Sequence, residues 1–295
     1  QKVDLDRVMV LDPVHGQDRQ MFVDHLRGAE GYEKVKLSAI HDRLSDPILY
    51  ATLMLRFNQV DGLVAGVGAY SGSVLRPLIK MIPRLPQFPR ISSATILECP
   101  DKAVGDGGLL IAGDAAVVPA PKTEELAATA VGLAALKLQL TGRRARVALL
   151  SYSTKGSAAV NEETKKVIEA TKKAQQLAAK IGIKADIDGE LQIDAALNPA
   201  KAKLKATGSP VAGRADCLVF PDLNAGNIAI KAIQQFGNVR TYGNILLGLR
   251  LPAAEISRGA DEEEVLGVAA IIGLLAVEYR KLYPEPHAPE SAHAS

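Results

Sequence analysis

Short runs of consecutive apolar residues alternate with longer segments of helical periodicity along most of the 295-residue chain. The runs are continuous rather than alternately polar and apolar, which is typical of parallel strands covered by helices on both faces. The pattern therefore predicts an α/β fold with mostly parallel sheets flanked by helices. Predicted strands cover residues 7–12, 61–68, 94–99, 107–114, 146–154 and 217–223. Predicted helices cover residues 17–27, 73–83, 123–140 and 160–181, and another begins near residue 226.

Two segments interrupt this alternation and are candidate domain boundaries. The segment 84–90 carries two prolines, and the segment 242–252, YGNILLGLRLP, is the second candidate. We therefore expect two domains, the first made of residues 1–88 together with 244–295, and the second of residues 89–243. The last part of the chain, 284–295, is rich in Pro, Ala, Ser and His and cannot bury much apolar surface, so it is predicted to be a flexible tail.

Composition narrows the class of protein. Hydrophobic residues make up 47% of the chain and charged residues 23%, and the net charge is only +2. This balance predicts neither a nucleic-acid partner nor a membrane partner. The longest apolar run, 265–277, is shorter than the ~20 residues that span a bilayer, so it is predicted to be a buried helix. Because Cys99 and Cys217 form no CxxC pair, we expect no disulfide framework and a cytoplasmic location.

A small, polar loop follows the predicted strand at 146–154. In parallel α/β sheets, ligands bind beyond the carboxyl ends of the strands, where loops lead into helices. This loop offers hydroxyl groups at Ser153 and Thr154, an ammonium group at Lys155, and a glycine, Gly156, that permits close backbone approach. Such a loop suits a phosphate group. The alternative is an ordinary Ser/Thr helix cap beside a solvated lysine.

A second candidate loop, at 220–228, follows another apolar strand. Asn224, Gly226 and Asn227 could present amide groups to a carbonyl or a phosphate group. The alternative is that this Asx cluster only makes a turn and caps a helix. No Asp, Glu and His residues have the spacing of a metal site, and the five histidines lie outside these loops. We therefore expect no metal and no Ser–His–Asp triad.

The stretch EISRGADEEEVLGV, residues 255–268, places a cation next to a group of acids immediately before an apolar helix. Asp261 and Glu264 have the spacing of an acidic capping box, and acids in a first helical turn also interact favourably with the helix dipole. That interpretation leaves Ser257 and Arg258 unexplained. The guanidinium of an arginine is suited to bidentate phosphate contact, so the alternative is an anion-binding catalytic loop with a base one turn away.

Taken together and in this order, these segments resemble the phosphate acetyltransferase (phosphotransacetylase) family, within the phosphate acetyl/butyryltransferase group. The resemblance implies a two-domain α/β fold like that of isocitrate/isopropylmalate dehydrogenase, an active site in the interdomain cleft, and a homodimer. It also implies reversible acetyl transfer between acetyl phosphate and coenzyme A (CoA), with phosphate released and no tightly bound cofactor. The matching segments are 61–77, 147–158, 188–199, 208–231 and 256–265.

The resemblance assigns roles to individual residues. Ser257 and Arg258 match the active-site Ser-Arg pair of the family, and Glu264 falls where the family has its catalytic aspartate. Arg76 matches a second substrate-binding arginine, and Arg27 falls where the family has a further one. In this picture Arg258 lies in a cleft close to the loops of Lys155 and Asn224, and a carboxylate accepts the proton of the CoA thiol.

The sequence also departs from the family pattern. Glu264 replaces aspartate, Ala69 stands where the family has a histidine, and Asn244 stands where proline is common. The first strand and helices of the family, upstream of the VLDP segment at 10–13, are absent from this sequence. Two alternatives therefore stay open beside acetyl transfer. One is an acyltransferase for a longer acyl group such as propanoyl or butyryl. The other is a non-catalytic domain that senses acyl-CoA or acyl phosphate or acts as an interaction domain.

Overall fold

The structure, a computed structural model, describes residues 8–29 and 31–282. Its strands are β1 (Leu63–Ala65), β2 (Ser92–Glu98), β3 (Leu109–Gly113), β4 (Ala145–Leu150), β5 (Ala185–Leu191), β6 (Cys217–Val219), β7 (Arg240–Leu247) and β8 (Ala253–Glu255). Its helices are α1 (Arg19–Arg27), α2 (Leu37–Arg43), α3 (Pro47–Arg56), α4 (Ser71–Met81), α5 (Thr123–Thr141), α6 (Glu162–Ile181), α7 (Ile193–Leu197), α8 (Pro199–Lys205), α9 (Leu223–Phe236) and α10 (Glu262–Leu282).

All eight strands belong to one mixed sheet with the order β1-β8-β7-β2-β3-β6-β4-β5. Strands β3, β6, β4 and β5 pair in parallel at one end of the sheet, and β1 and β8 pair in parallel at the other. Strands β7 and β2 lie between these groups, and the pairings of β8 with β7, β7 with β2 and β2 with β3 are antiparallel. The two parallel groups therefore run in opposite directions.

Helices cover both faces of the sheet. Val147 and Leu149 of β4 pack into a core with α5 and α6, whereas Ala148 and Leu150 point to the opposite face and pack with residues near α7, α8 and α9. Because successive side chains in a strand alternate between faces, burial of both faces explains why β4 reads as a continuous apolar run. The predicted α/β class, with a mostly parallel sheet flanked by helices, is confirmed.

Several predicted elements differ from those observed. Residues 8–12 of the first predicted strand form no strand, and Met9 and Val10 are exposed, because no neighbouring strand pairs with this segment. The helix expected from residue 226 begins at Leu223, since the Asp222 side chain accepts a hydrogen bond from the Ala225 amide and caps α9 there. Helices α2, α3, α7 and α8 were not predicted.

The apolar run 265–277 does form a helix, within α10, but the prediction that it is buried holds for one face only. Val268 and Ile272 are buried against the sheet, whereas Leu266, Leu274 and Val277 are exposed. Within residues 8–29 and 31–282, no helix combines the length and apolar character needed to cross a membrane.

The division into two domains stays a prediction. The candidate boundary at 242–252 includes part of β7, which is paired on both sides within the sheet. The tail predicted at 284–295 lies outside the described residues. Cys99 and Cys217 are both buried and unpaired by disulfides, and burial raises the pKa of each thiol.

Candidate active site

Two loops meet where the parallel strands β1 and β8 end. The Ile256 amide donates a hydrogen bond to the Ala65 carbonyl over 2.9 Å, and the Gly68 amide donates to the Arg258 carbonyl over 3.1 Å. Gly66 makes this contact possible, because a Cβ atom there would lie 2.0 Å from the Ile256 carbonyl oxygen. Its φ angle of 145° also favours glycine. The glycine-rich end of β1 therefore fixes the backbone position of the Ser257–Arg258 pair.

Arg258 is exposed, and its side chain stacks on an aromatic ring. Its Cζ atom lies 3.9 Å from the centroid of the Tyr70 ring. This arrangement is a cation–π contact. A guanidinium held in this way can still form two parallel hydrogen bonds to a phosphate or carboxylate. Tyr70 was not among the residues predicted from the sequence.

Glu264 lies in the first turn of α10 and is partly buried. Its backbone amide donates a hydrogen bond of 2.8 Å to Oδ1 of Asp261, so Asp261 caps the helix, as the spacing predicted. Burial raises the pKa of the Glu264 carboxyl, and the negative charges of Asp261 and Glu255 raise it further. The raised pKa means that the Glu264 carboxylate binds a proton more tightly than an ordinary glutamate does.

Behind Glu264, a buried carboxylate ends strand β8. Glu255 is only 2% exposed, and its Oε2 atom accepts a hydrogen bond of 2.8 Å from the Asn244 side-chain amide. The Oδ1 atom of Asn244 accepts in turn from the Thr95 hydroxyl over 3.1 Å. Neither Glu255 nor Thr95 was predicted as a site residue, and the only sequence signal was the unusual residue type at Asn244.

Arg76 lies on the exposed side of α4, among other cations. It lines a cavity of about 320 Å³ together with two further cations, Arg43 and Lys80, and one acid, Asp46. Lys80 also lines a larger cavity of about 500 Å³, whose wall includes Arg84 and Arg90. The surface around Arg76 is therefore rich in positive charge, which suits an anionic ligand. This basic surface beyond Arg76 was missed by the sequence reading.

Arg27 is exposed at the end of α1. The chain continues to Gly31, where a Cβ atom would lie 3.5 Å from the Lys80 ammonium nitrogen. The segment that follows α1 therefore approaches the same basic surface as Arg76.

The residues of the loop at 151–157 bond mainly to strand β5 and to the residue after it. The Lys155 ammonium lies 2.5 Å from Oδ1 of Asp188. Oε1 of Glu190 accepts hydrogen bonds from the Ser153 hydroxyl and the Gly156 amide, over 3.0 and 2.8 Å. Thr154 is buried, and its hydroxyl oxygen accepts from the amide of residue 192 over 2.9 Å. Helix α6 starts later, at an Asn161 cap, so the loop itself is not the helix cap.

The loop at 220–228 forms the start of α9. Asn224 is exposed, whereas the Asn227 side chain donates a hydrogen bond of 3.1 Å to the Ala115 carbonyl. Gly226 is buried, and a Cβ atom there would lie 2.2 Å from the Asp114 carbonyl oxygen. Both residues therefore help to pack α9 against the loop after β3.

The order and direction of the strands do not support the expected closeness of these loops to Arg258. Strands β4 and β6 run opposite to β1 and β8, because three antiparallel pairings separate the two groups. The loops that carry Lys155 and Asn224 therefore leave the sheet at the edge opposite to Arg258. The apolar pattern of the sequence carries no information about strand direction.

Within the described ranges, no three or more His, Cys, Asp or Glu side chains are arranged to hold a metal ion. The end of β8 carries an arginine and a hydroxyl, which could bind an anion, and a carboxylate of raised pKa, which could accept a proton; acyl transfer requires groups of these kinds.

Comparisons with known proteins agree with this class. The model of the family described as Phosphate acetyl/butaryl transferase matches residues 1–273. A phosphate acetyltransferase of Acetivibrio thermocellus is 36% identical over 93% of this chain and 81% of its own length. One from Thermoanaerobacterium thermosaccharolyticum is also 36% identical, over 93% of this chain and 82% of its own length.

Solved structures give the same result. The EutD phosphotransacetylase from Staphylococcus aureus has a TM-score of 0.80 and 32% identity, covering 93% of this chain and 80% of its own. A phosphotransacetylase from Streptococcus pyogenes has a TM-score of 0.80 and 31% identity, covering 90% of this chain and 78% of its own. The chain therefore belongs to the phosphate acetyltransferase family and is an acyltransferase, which confirms the resemblance read from its sequence.

Proposed function

We propose that this enzyme transfers an acetyl group reversibly between acetyl phosphate and CoA, with both substrates bound at once. The observation that carries the proposal is the position of Arg258 and Glu264 after the parallel pair β1 and β8. There an arginine stacked on Tyr70 stands six residues before a partly buried carboxylate of raised pKa. Two substrates aligned in one site gain from proximity, so no covalent enzyme intermediate is required.

In the proposed reaction Glu264 is the general base. A free thiol has a pKa of ~8.5 and is mostly protonated at neutral pH, although the thiolate is the nucleophile. Burial and two neighbouring acids raise the pKa of Glu264, which makes its carboxylate a better proton acceptor. This direction differs from the lowering that a helix N-terminus alone would produce, and it supports the base role despite the replacement of aspartate by glutamate.

The bond changes follow from this proton transfer. As Glu264 takes the thiol proton, the sulfur attacks the acyl carbonyl carbon, and the carbonyl electron pair moves to its oxygen. The tetrahedral intermediate then collapses, the bond from the acyl carbon to the phosphate oxygen breaks, and phosphate leaves with that electron pair. Arg258 and Ser257 donate hydrogen bonds to the phosphoryl group and to the developing negative charge.

We further propose that Arg76 and Arg27 bind the anionic parts of the substrates. Support comes from the cations that surround Arg76 on α4 and from the cavity of about 500 Å³ that shares Lys80 with the Arg76 cavity. CoA carries several phosphate groups, and a basic surface of this extent would attract them.

The residues at the opposite edge of the sheet stay predictions as substrate ligands. They are Ser153, Thr154, Lys155, Gly156, Asn224, Gly226 and Asn227. The test is Lys155→Met. If Lys155 binds CoA or phosphate, the Michaelis constant for that substrate rises. If Lys155 only pairs with Asp188, the melting temperature falls while the Michaelis constants stay unchanged.

The two-domain division and the homodimer are likewise proposals. A cytoplasmic location is proposed because two buried free thiols suit a reducing compartment.

Transfer of a longer acyl group is the second candidate. It is favoured by Ala69, a small residue within the Gly66–Tyr70 segment, where the resemblance to the family implies a histidine. Loss of side-chain volume near the acyl group would admit an extra methylene, which is worth only about 1–3 kcal/mol in discrimination.

The experiment is a CoA thiol-consumption assay with acetyl, propanoyl and butyryl phosphate. Acetyl phosphate is expected to have the highest kcat/KM, and a preference for butyryl phosphate would select the second candidate. Arg258→Gln is expected to lower kcat by about 10²–10³ without unfolding the protein, because the side chain is exposed. Arg250→Gln, another exposed arginine that precedes β8, is the matched control and should keep full activity. No turnover with any acyl phosphate would indicate the non-catalytic sensing role.

A further inference from the structure

We propose that Asn244 is a positioning residue for acyl transfer, because it holds the end of β8 just before the Ser257–Arg258 pair. It is the middle member of a chain of hydrogen-bonded side chains that runs from Thr95 to Glu255. The inference rests on the proposed role of Arg258 in binding the acyl phosphate. None of the three linked side chains contacts substrate in this proposal, and their effect on the reaction passes through Arg258.

The chain of side chains crosses three neighbouring strands of the sheet. The Thr95 hydroxyl on β2 donates a hydrogen bond of 3.1 Å to Oδ1 of Asn244 on β7. Nδ2 of Asn244 donates a hydrogen bond of 2.8 Å to Oε2 of Glu255, the last residue of β8. Because the first bond engages the amide oxygen, the amide nitrogen faces Glu255. Thr95 and Glu255 are both buried, so the orientation of Asn244 is set from two fixed sides.

An irregularity in the sheet brings Thr95 and Asn244 into this contact. The register of β2 against β7 shifts between Ala94 and Ile96, and within this shift two residues of β7, Gly243 and Asn244, lie opposite Thr95 alone. Gly243 permits the close approach: its φ angle is 132°, and a Cβ atom there would lie 2.8 Å from the Ala94 carbonyl oxygen. Such a bulge re-aims side chains, and bulges are frequent next to active sites.

The side-chain bond compensates for sparse backbone pairing of β8 with β7. These two strands, which lie wholly within residues 31–282, pair in register at one position, Ile245 with Ala254. On its other side β8 pairs with β1 at three positions, the last of which joins Ala65 to Glu255. The bond from Asn244 to Glu255 therefore takes the place of a further backbone pair at the end of β8.

The end of β8 leads directly into the proposed catalytic pair, since one residue separates Glu255 from Ser257. Loss of the Asn244 donor would leave a carboxylate that is 2% exposed short of a hydrogen bond, so the strand end would shift toward water or another donor. The guanidinium of Arg258 would move with it. A misplacement of ~1 Å at a group that stabilises developing charge can lower the rate by about 10²-fold.

Asn244 stands where the resemblance to the family implies a proline. Proline has no hydrogen-bond donor in its side chain and none on its backbone nitrogen. The link from Asn244 to Glu255 is therefore a feature of this chain and does not follow from membership of the family.

The test is a double-mutant cycle between positions 244 and 258, measured as kcat/KM for acetyl phosphate in the CoA thiol-consumption assay. Asn244→Leu keeps the approximate size of the side chain but removes the donor, and it is expected to lower kcat/KM by about 10- to 100-fold. In the Arg258→Gln protein, which lacks the positioned group, the same substitution should cost less than about twofold. A merely structural role for Asn244 would lower kcat/KM by the same factor in both proteins, and that result would overturn the proposal.

Two further variants separate the hydrogen bonds from the packing. Glu255→Gln keeps an oxygen that can accept from Asn244 and should retain most of the wild-type kcat/KM; a loss as large as that of Asn244→Leu would contradict the proposal. Thr95→Val removes the donor that orients Asn244 and should lower kcat/KM. Thr171→Val is the matched control: it removes an equally buried hydroxyl on α6, which donates to the Val167 carbonyl, and should leave kcat/KM unchanged.

Melting temperatures show which variants fold. If Asn244→Leu does not fold, the cycle between Thr95→Val and Arg258→Gln decides the proposal in the same way. Failure of the proposed function is distinguishable: wild-type turnover in Arg258→Gln would reject the role of Arg258 and the positioning together. A slow Arg258→Gln protein in which Asn244→Leu causes its full further loss would reject the positioning alone.

Discussion

The contact between Tyr70 and Arg258 gives a prediction of defined size. With the guanidinium carbon 3.9 Å from the ring centroid and both side chains exposed, the cation–π contact is worth about 0.5–1 kcal/mol. Tyr70→Ala removes the contact, so the guanidinium must be ordered when substrate binds rather than beforehand. This loss corresponds to an increase of about two- to fivefold in the Michaelis constant for acetyl phosphate.

The assay compares wild type, Tyr70→Phe and Tyr70→Ala by initial rates of CoA thiol consumption over a range of acetyl phosphate concentrations. Tyr70→Phe keeps an aromatic face and should stay close to wild type. Melting temperatures should match in all three proteins, because Tyr70 is 71% exposed and contributes little to the core. Equal Michaelis constants in the phenylalanine and alanine variants would refute the idea that stacking organises Arg258 for its substrate.

Three further substitutions test stability. Glu264→Gln should slow turnover by about 10²–10⁴. It should also raise the melting temperature at neutral pH, because folding raises the pKa of Glu264 and ionisation of Glu264 above its ordinary pKa of 4.5 therefore opposes folding. Melting temperatures measured across pH should show this increase disappear below pH 4.5. Gly226→Ala should destabilise the fold by about 1–3 kcal/mol in a urea titration, because the new Cβ atom would lie 2.2 Å from the Asp114 carbonyl oxygen. Gly273→Ala is the control: no atom lies within 4 Å of a Cβ atom at this position on α10, so this substitution should be neutral or stabilising. Lys137→Met should cost about 2 kcal/mol, because it removes a fully buried ammonium that lies 2.6 Å from the partly buried carboxylate of Asp106. The hydrogen bond from Lys137 is the largest effect that lowers the pKa of Asp106, so the difference should shrink as pH falls below 3.8, and a constant difference would contradict the assignment.

The layered architecture could be predicted because buried positions are occupied by apolar residues, which are visible in the sequence. β4 reads as an unbroken apolar run since Val147 and Ala148 face different buried layers, and α6 reads as a helix from its spacing. Strand direction cannot be predicted in this way, because a buried strand has the same composition in either direction. That is why the sequence did not show that the loops of Lys155 and Asn224 leave the sheet at the edge opposite to Arg258.

Part of the local chemistry at the site could be predicted from the sequence. The Asp261 cap followed from spacing along one helix, and the Ser257–Arg258 pair from a motif of adjacent residues. Tyr70 and Asn244 act across the fold, on residues that are remote in sequence. A single sequence contains no signal for such contacts beyond an unexpected residue type, so Glu255 was not predicted as a site residue.

The burial of both cysteines has a practical consequence for kinetic work. Cys99 is 7% exposed and Cys217 is fully buried, and burial raises the pKa of both thiols, so neither supplies a reactive thiolate while the protein is folded. A disulfide reagent added to a reaction mixture should consequently report the cosubstrate alone, with no enzyme background. The same inertness makes the native chain a ready host for a single introduced cysteine, to which a spectroscopic label could be attached without first removing the natural ones.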